Sequence, residues 1–272
     1  MIKLVCTDID GTLVPDGTDQ INPELFSVVK KLKEKGIIFV AASGRQYHSM
    51  KKLFAPVADD MIFIAEGGNL VMCREEEMAV SQMDKTVVAE LIADIEAIEG
   101  CDAMVCGPME SYMRDQAEEL IHLMTYGYHY RVKVVEDFTT VLEKQIIKVS
   151  LFSKEEKADE LARAFLFPKW EKGRGIELVC AGSQWMDCIN LGSNKGTAIN
   201  RIQEIMKISP EETMVFGDNS NDIPMLRQAK YSFAVANAKQ EVQDAVNYQA
   251  DTYHRDGVLK ELKKLLERMD ME

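Results

Sequence analysis

Residues 1–13 read MIKLVCTDIDGTL. Apolar Ile2, Leu4, Val5 and Cys6 run straight into Asp8-Ile9-Asp10-Gly11-Thr12. The first half reads as a buried strand, and the second sets two carboxylates one residue apart at its end. Like charges that close repel, and taking them out of water is costly. A purely structural protein has little use for that placement, so positive charge must arrive from elsewhere in the chain or from a ligand.

The next segments repeat the pattern of a strand delivering polar residues. Asn22-Pro23-Glu24 marks a helix start, with a cap residue, proline at the first position and acid in the first turn. Leu25, Val28, Val29 and Leu32 follow at helical spacing, and Gly36 stops the helix. Residues 37–42 form a second apolar strand, which ends in Ser43-Gly44-Arg45. A third, residues 61–65, ends in Glu66-Gly67-Gly68-Asn69. Apolar strands alternating with helices predict a doubly wound α/β fold, with a parallel sheet covered on both faces.

The rhythm changes in the middle of the chain. A helix over 84–99 precedes shorter strands around 103–106, 112–113, 131–135 and 146–152. Helices near 118–124 and 155–165 and strands at 176–180 and 186–189 complete the segment. This predicts a separate α+β domain over 83–187, inserted into an α/β domain made of 1–82 and 188–272. The first style resumes with a helix from Gly196 and a strand over 213–216, which ends in Gly217-Asp218-Asn219-Ser220-Asn221-Asp222. Glu75-Glu76-Glu77 reads as a solvated turn.

With 272 residues, 46% hydrophobic and 28% charged, the chain has material for a large core and is not disordered in composition. A net charge of −13 repels nucleic acid and anionic lipid, so neither is an expected partner. The six cysteines (Cys6, Cys73, Cys101, Cys106, Cys180, Cys188) include no CxxC pair and read as reduced thiols in a cytoplasmic setting. The N-terminal apolar stretch is too short for a signal peptide and meets acid by Asp8. No run has the length of a membrane span.

Four features lie at strand ends or a helix start: Asp8/Asp10, Ser43-Gly44-Arg45, Lys195-Gly196-Thr197 and the Asp218–Asp222 run. In open parallel sheets the crevice beyond the carboxyl strand ends binds ligands, so these features converge. Asp8, Asp10 and Asp218 offer hard oxygen donors suited to Mg²⁺, which would offset their repulsion. Lys195 before a helix can neutralise an anion, with the Ser43 hydroxyl and backbone N–H groups beside it. Asp8 could attack phosphorus, while Asp10 protonates the leaving oxygen and later takes a proton from water. Competing motifs fail: a calcium loop from Asp218 would need Gly and Glu where Ile223 and Ala229 stand, and residues 192–195 lack P-loop spacing.

Together these stretches resemble the haloacid dehalogenase superfamily, in the Cof-like phosphatase branch with a class-IIB cap, over the whole chain. The resemblance makes Asp8 the nucleophile and Asp10 the general acid/base. It makes Ser43 and Gly44 part of the phosphoryl site, with Lys195 neutralising the group and Asn221 contacting phosphate or metal-bound water. Asp8, Asp218 and the backbone carbonyl of Asp10 would hold Mg²⁺, with Asp222 in support, and the inserted domain would be the specificity cap. The family commonly has Asn-Gly-Ala after the third strand, where this chain has Glu66-Gly67-Gly68, and proline where it has Asn190. Glu66 is therefore a candidate for leaving-group contacts, and Arg45 is a separate candidate for touching substrate or bracing its loop. The expected activity is Mg²⁺-dependent hydrolysis of small phosphomonoesters, sugar phosphates first, through an aspartyl phosphate. A sugar phosphomutase and a non-catalytic phosphometabolite sensor stand as alternatives.

Overall fold

The computed structural model describes residues 1–15 and 17–271. In chain order the first elements are β1 (Leu4–Asp8), α1 (Glu24–Glu34), β2 (Ile38–Ala42), α2 (Tyr47–Leu53), β3 (Met61–Ala65), β4 (Leu70–Cys73) and β5 (Glu76–Val80). The middle of the chain forms α3 (Lys85–Glu96), β6 (Cys101–Cys106), β7 (Ser111–Arg114), α4 (Glu118–His122), β8 (Val132–Val135), β9 (Lys148–Ser153), α5 (Ala158–Phe165), α6 (Phe167–Trp170), β10 (Ile176–Cys180) and β11 (Trp185–Asn190). The last stretch forms α7 (Lys195–Met206), β12 (Thr213–Gly217), α8 (Ile223–Leu226), β13 (Tyr231–Val235), α9 (Gln240–Gln243), β14 (Tyr248–Ala250) and α10 (Gly257–Met271).

The chain divides into two compact units, Met1–Ala79 with Asn194–Glu272, and Val80–Ser193. The sequence reading cut the second passage at 187/188, inside β11, which runs on to Asn190. The Asn190 side chain donates to Ser81 Oγ (3.0 Å) and the Gln82 carbonyl (2.9 Å), tying together the two ends of the Val80–Ser193 unit.

In the first unit the sheet order is β14-β13-β12-β1-β2-β3-β4-β5. From β14 to β3 every pairing is parallel, and β4 joins β3 antiparallel. The sheet is thus parallel except at the β4–β5 edge. β1, β3 and β12 are buried along their whole length, as strands covered on both faces must be. α1 packs Leu25, Val28, Val29 and Leu32 inward, and the Asn22 side chain accepts the Glu24 N–H at 3.0 Å to start it.

In the second unit a six-stranded sheet runs β10-β11-β9-β6-β7-β8, antiparallel except for β7 with β8. Its core gathers Leu91 and Ile95 of α3, Ala162 of α5 and Trp170 of α6 with Val105, Val149, Leu151, Met186 and Cys188 of the strands. The Trp170 indole donates to Asp94 at 2.7 Å, which satisfies its one polar atom. All six cysteines are free thiols.

Candidate active site

Parallel strands end on the same side, and β12, β1, β2 and β3 are sheet neighbours. Asp218, Asp8, Ser43 and Glu66, each at or just past one of those carboxyl ends, therefore stand along one edge. Lys195 is the first residue of α7, and the Asn194 side chain caps that helix by accepting the N–H groups of Gly196 (2.9 Å) and Thr197 (3.0 Å). The turn after β3 fixes where α7 begins. Gly68, at φ +115°, lies so close that a Cβ there would stand 2.2 Å from the Asn194 carbonyl carbon and 2.7 Å from the Lys195 nitrogen. Gly11, at φ +81°, makes the same allowance on the other flank, where a Cβ would sit 2.5 Å from Asp218 Oδ2.

Lys195 is 2% exposed, and its Nζ donates to Asp8 and, at 2.7 Å, to Asp222 Oδ1. Asp222, fully buried, accepts the N–H groups of Asp218 and Asn219 on Oδ2, each at 3.0 Å. Thr12 Oγ1 donates to Asp218 Oδ1 at 2.8 Å. Oxygens of Asp8, Asp218 and Asp222 lie within 4.8 Å of one another. Three carboxylates thus face one ammonium. Burial pushes the Asp8 carboxyl well above the usual range; Asp222 and Asp218 add to that, and Lys195 opposes it. Burial pulls the Lys195 ammonium down, but Asp222 and Asp8 outweigh it, so Lys195 stays charged. Cys6, just behind, is an inert thiol: burial raises it far above its ordinary value.

The sequence sets the Asp8 and Asp10 carboxylates one residue apart at the end of a single strand. The strand stops at Asp8, and Asp10 follows in a tight turn, bridged to Val14. The Asp10 carboxylate is held by Arg45 through Nη2 (2.7 Å) and Nε (3.0 Å) and by Ser43 Oγ (3.3 Å) and the Gly17 N–H (3.2 Å). Arg45, buried, also donates to Asp19 (2.8 Å) and to the Thr18 carbonyl (2.8 Å).

Of the other candidates, Gly44 is exposed, with open space where a side chain would go, and Asn221 is exposed on the turn after β12. Glu66 is buried at φ +51°; its N–H donates to the Arg45 carbonyl (3.0 Å) and its carbonyl accepts from Asn69 Nδ2 (2.6 Å). Reasoning from sequence assigned no role to Thr12, Asp19 or Asn237. Asn237 follows β13 and donates to the Gly11 carbonyl at 2.7 Å. Its place after another parallel strand end was the available signal; Asp19 carried none.

The residues present suit a hard divalent cation. The clustered oxygens are all carboxylate oxygens, the hard donors that such an ion prefers. Among the described residues no helix is long and apolar enough to cross a membrane.

A family model described as haloacid dehalogenase-like hydrolase matches residues 5–262. The 5-amino-6-(5-phospho-D-ribitylamino)uracil phosphatase YbjI of Escherichia coli K12 is 29% identical over 97% of this chain and 96% of its own. A crystal structure of an Eubacterium rectale protein is 37% identical and superposes with a TM-score of 0.90, covering 97% of this chain and 99% of that one. A subclass IIB sugar phosphatase is 26% identical with a TM-score of 0.78, covering 97% of this chain and 98% of that one. With nearly its full length matched and its strand-end carboxylates gathered on one sheet edge, the chain belongs to the haloacid dehalogenase-like hydrolase family.

Proposed function

We propose that the protein is a Mg²⁺-dependent phosphatase of small phosphomonoesters, sugar phosphates first, working through an aspartyl phosphate on Asp8. The observation that carries this reading is the buried Asp8 at the end of β1, bound by Lys195 and crowded by Asp218 and Asp222. The names of its relatives, a ribitylaminouracil phosphate phosphatase and a sugar phosphatase, support the substrate class.

Asp8 and Asp218, with the Asp10 backbone carbonyl, are the proposed holders of Mg²⁺; Asp222 is already committed to Lys195 and to two backbone N–H groups. When bound, Mg²⁺ supplies the positive charge that lets an anionic phosphoryl group sit beside these carboxylates. Lys195 contributes a second, fixed positive charge, and needs no reorganisation because Asp222 holds it in place. Ser43, the Gly44 N–H and Asn221 orient the phosphoryl oxygens. Asp8 attacks phosphorus; Asp10 gives a proton to the leaving oxygen and then takes one from water. The inserted Val80–Ser193 unit is the proposed chooser among substrates.

The test is phosphate release from a panel of sugar, polyol and aryl phosphates. Turnover with Mg²⁺ that stops with chelator and in Asp8→Asn supports the reading. Tight binding of the same compounds with no phosphate released under any condition refutes it.

A further inference from the structure

Among the described residues the Asp10 carboxylate accepts four hydrogen bonds, from Arg45, Ser43 and Gly17. Oδ1 accepts from Arg45 Nη2 and the Gly17 N–H; Oδ2 accepts from Arg45 Nε and Ser43 Oγ. Ser43 Oγ in turn accepts the Arg45 backbone N–H at 3.1 Å, which fixes the hydroxyl beside the fork.

Arg45 is itself pinned from behind. Nη1 donates to Asp19 and Nη2 to the Thr18 carbonyl, both at 2.8 Å, and the side chain is 8% exposed. A planar fork with both ends occupied has one orientation, and it passes that orientation to the carboxylate it grips.

Resting on the phosphatase reading above, we infer that Arg45 is a positioning residue for the water half of the reaction, holding Asp10 where it receives a proton. In that half the water oxygen bonds to phosphorus and the bond from phosphorus to Asp8 Oδ breaks. The Asp8 carboxylate is regenerated, and the water proton passes to Asp10. That proton is the one Asp10 later gives to a leaving oxygen.

p-Nitrophenyl phosphate separates the halves, because p-nitrophenolate departs without a proton. With Mg²⁺ present, Arg45→Met is expected to lower kcat about tenfold or more, part of the roughly 10²–10⁴-fold that acid–base catalysis supplies. kcat/KM, which reports only the steps through phosphorylation of Asp8, stays near wild type, so KM falls with kcat. Rapid mixing shows a burst of about one p-nitrophenolate per enzyme before the slow phase. Arg45→Lys, which keeps the charge and loses the fork, lies between the two. Asp19→Asn, which only loosens the rear anchor, gives the same burst with a smaller loss of kcat, and provides a reading should Arg45→Met fold poorly. If kcat and kcat/KM fall together with no burst, in Arg45→Met or in Asp19→Asn, the inference is overturned while the phosphatase reading stands. A wild-type chain that releases no p-nitrophenolate overturns both.

Discussion

Lys195 reaches Asp222 at 2.7 Å, and Asp222 spends its other oxygen on the N–H groups of Asp218 and Asn219. One buried carboxylate thus ties the start of α7 to the turn after β12. Removing the lysine leaves Asp8 and Asp222 buried without their cation. Breaking a buried pair in this way costs about 3–5 kcal/mol. Lys195→Met is expected to lose stability on that scale in urea denaturation and to lose turnover as well.

Asp8 carries a pH dependence of known sign. Its carboxyl is raised in the folded chain by burial, Asp222 and Asp218. A group raised in this way binds its proton more tightly folded than unfolded, so its stabilising contribution is present at low pH and is lost as pH rises through its folded value. In chelator the wild type should lose stability on going from mildly acidic to neutral pH. Asp8→Asn cannot ionise and still offers Lys195 an oxygen. Its Tm in chelator at neutral pH is expected to exceed that of the wild type, with the gap closing under acid. Melting curves over a pH series test this; a lower Tm for Asp8→Asn at neutral pH would count against it.

Thr12 Oγ1 donates to Asp218, a proposed metal holder, at 2.8 Å. Partners that orient a ligand typically change metal affinity by about 10–100-fold. Thr12→Val keeps the shape and removes the donor. Titration calorimetry should show Mg²⁺ binding weakened by about tenfold, with little change in melting in chelator.

Gly68, in the turn after β3, lies against the backbone at the start of α7 with a positive φ. Gly68→Ala places a methyl group against backbone atoms of Asn194 and Lys195, which cannot swing aside as a flexible side chain would. A loss of about 1–3 kcal/mol is expected from the strained conformation and the clash. Because the shift falls on Lys195, activity should drop further than stability implies. Gly44→Ala, with open space around it, is the control for fold.

Much of the arrangement could be read from the chain. Asp8, Lys195, Asp218 and Asp222 stood at ends of strongly apolar strands or a capped helix, and such elements have clear periodicity. The β4–β5 hairpin was missed because its turn, Arg74-Glu75, has two residues with positive φ and neither is Gly or Asn. β5 also begins with Glu76-Glu77, which reads as solvent-facing turn; it is an edge strand, where such charges are at home. β14 is three residues long and carries too little pattern to be seen. Arg45 was legible as a site candidate, but its grip on Asp10 and Asp19 was not. That geometry depends on a turn closing over residues 9–14, which leaves no mark in hydrophobic periodicity.

The attack by Asp8 on phosphorus can be observed directly. Wild-type protein with Mg²⁺ is mixed with a turned-over phosphomonoester, quenched in acid during turnover, and reduced with borohydride, which converts an aspartyl phosphate to homoserine. Peptide mass spectrometry then finds the modified position. The expected result is homoserine at position 8 in the wild type and none in Asp8→Asn. Active turnover with position 8 unmodified, or with the label on a different residue, would contradict the assignment.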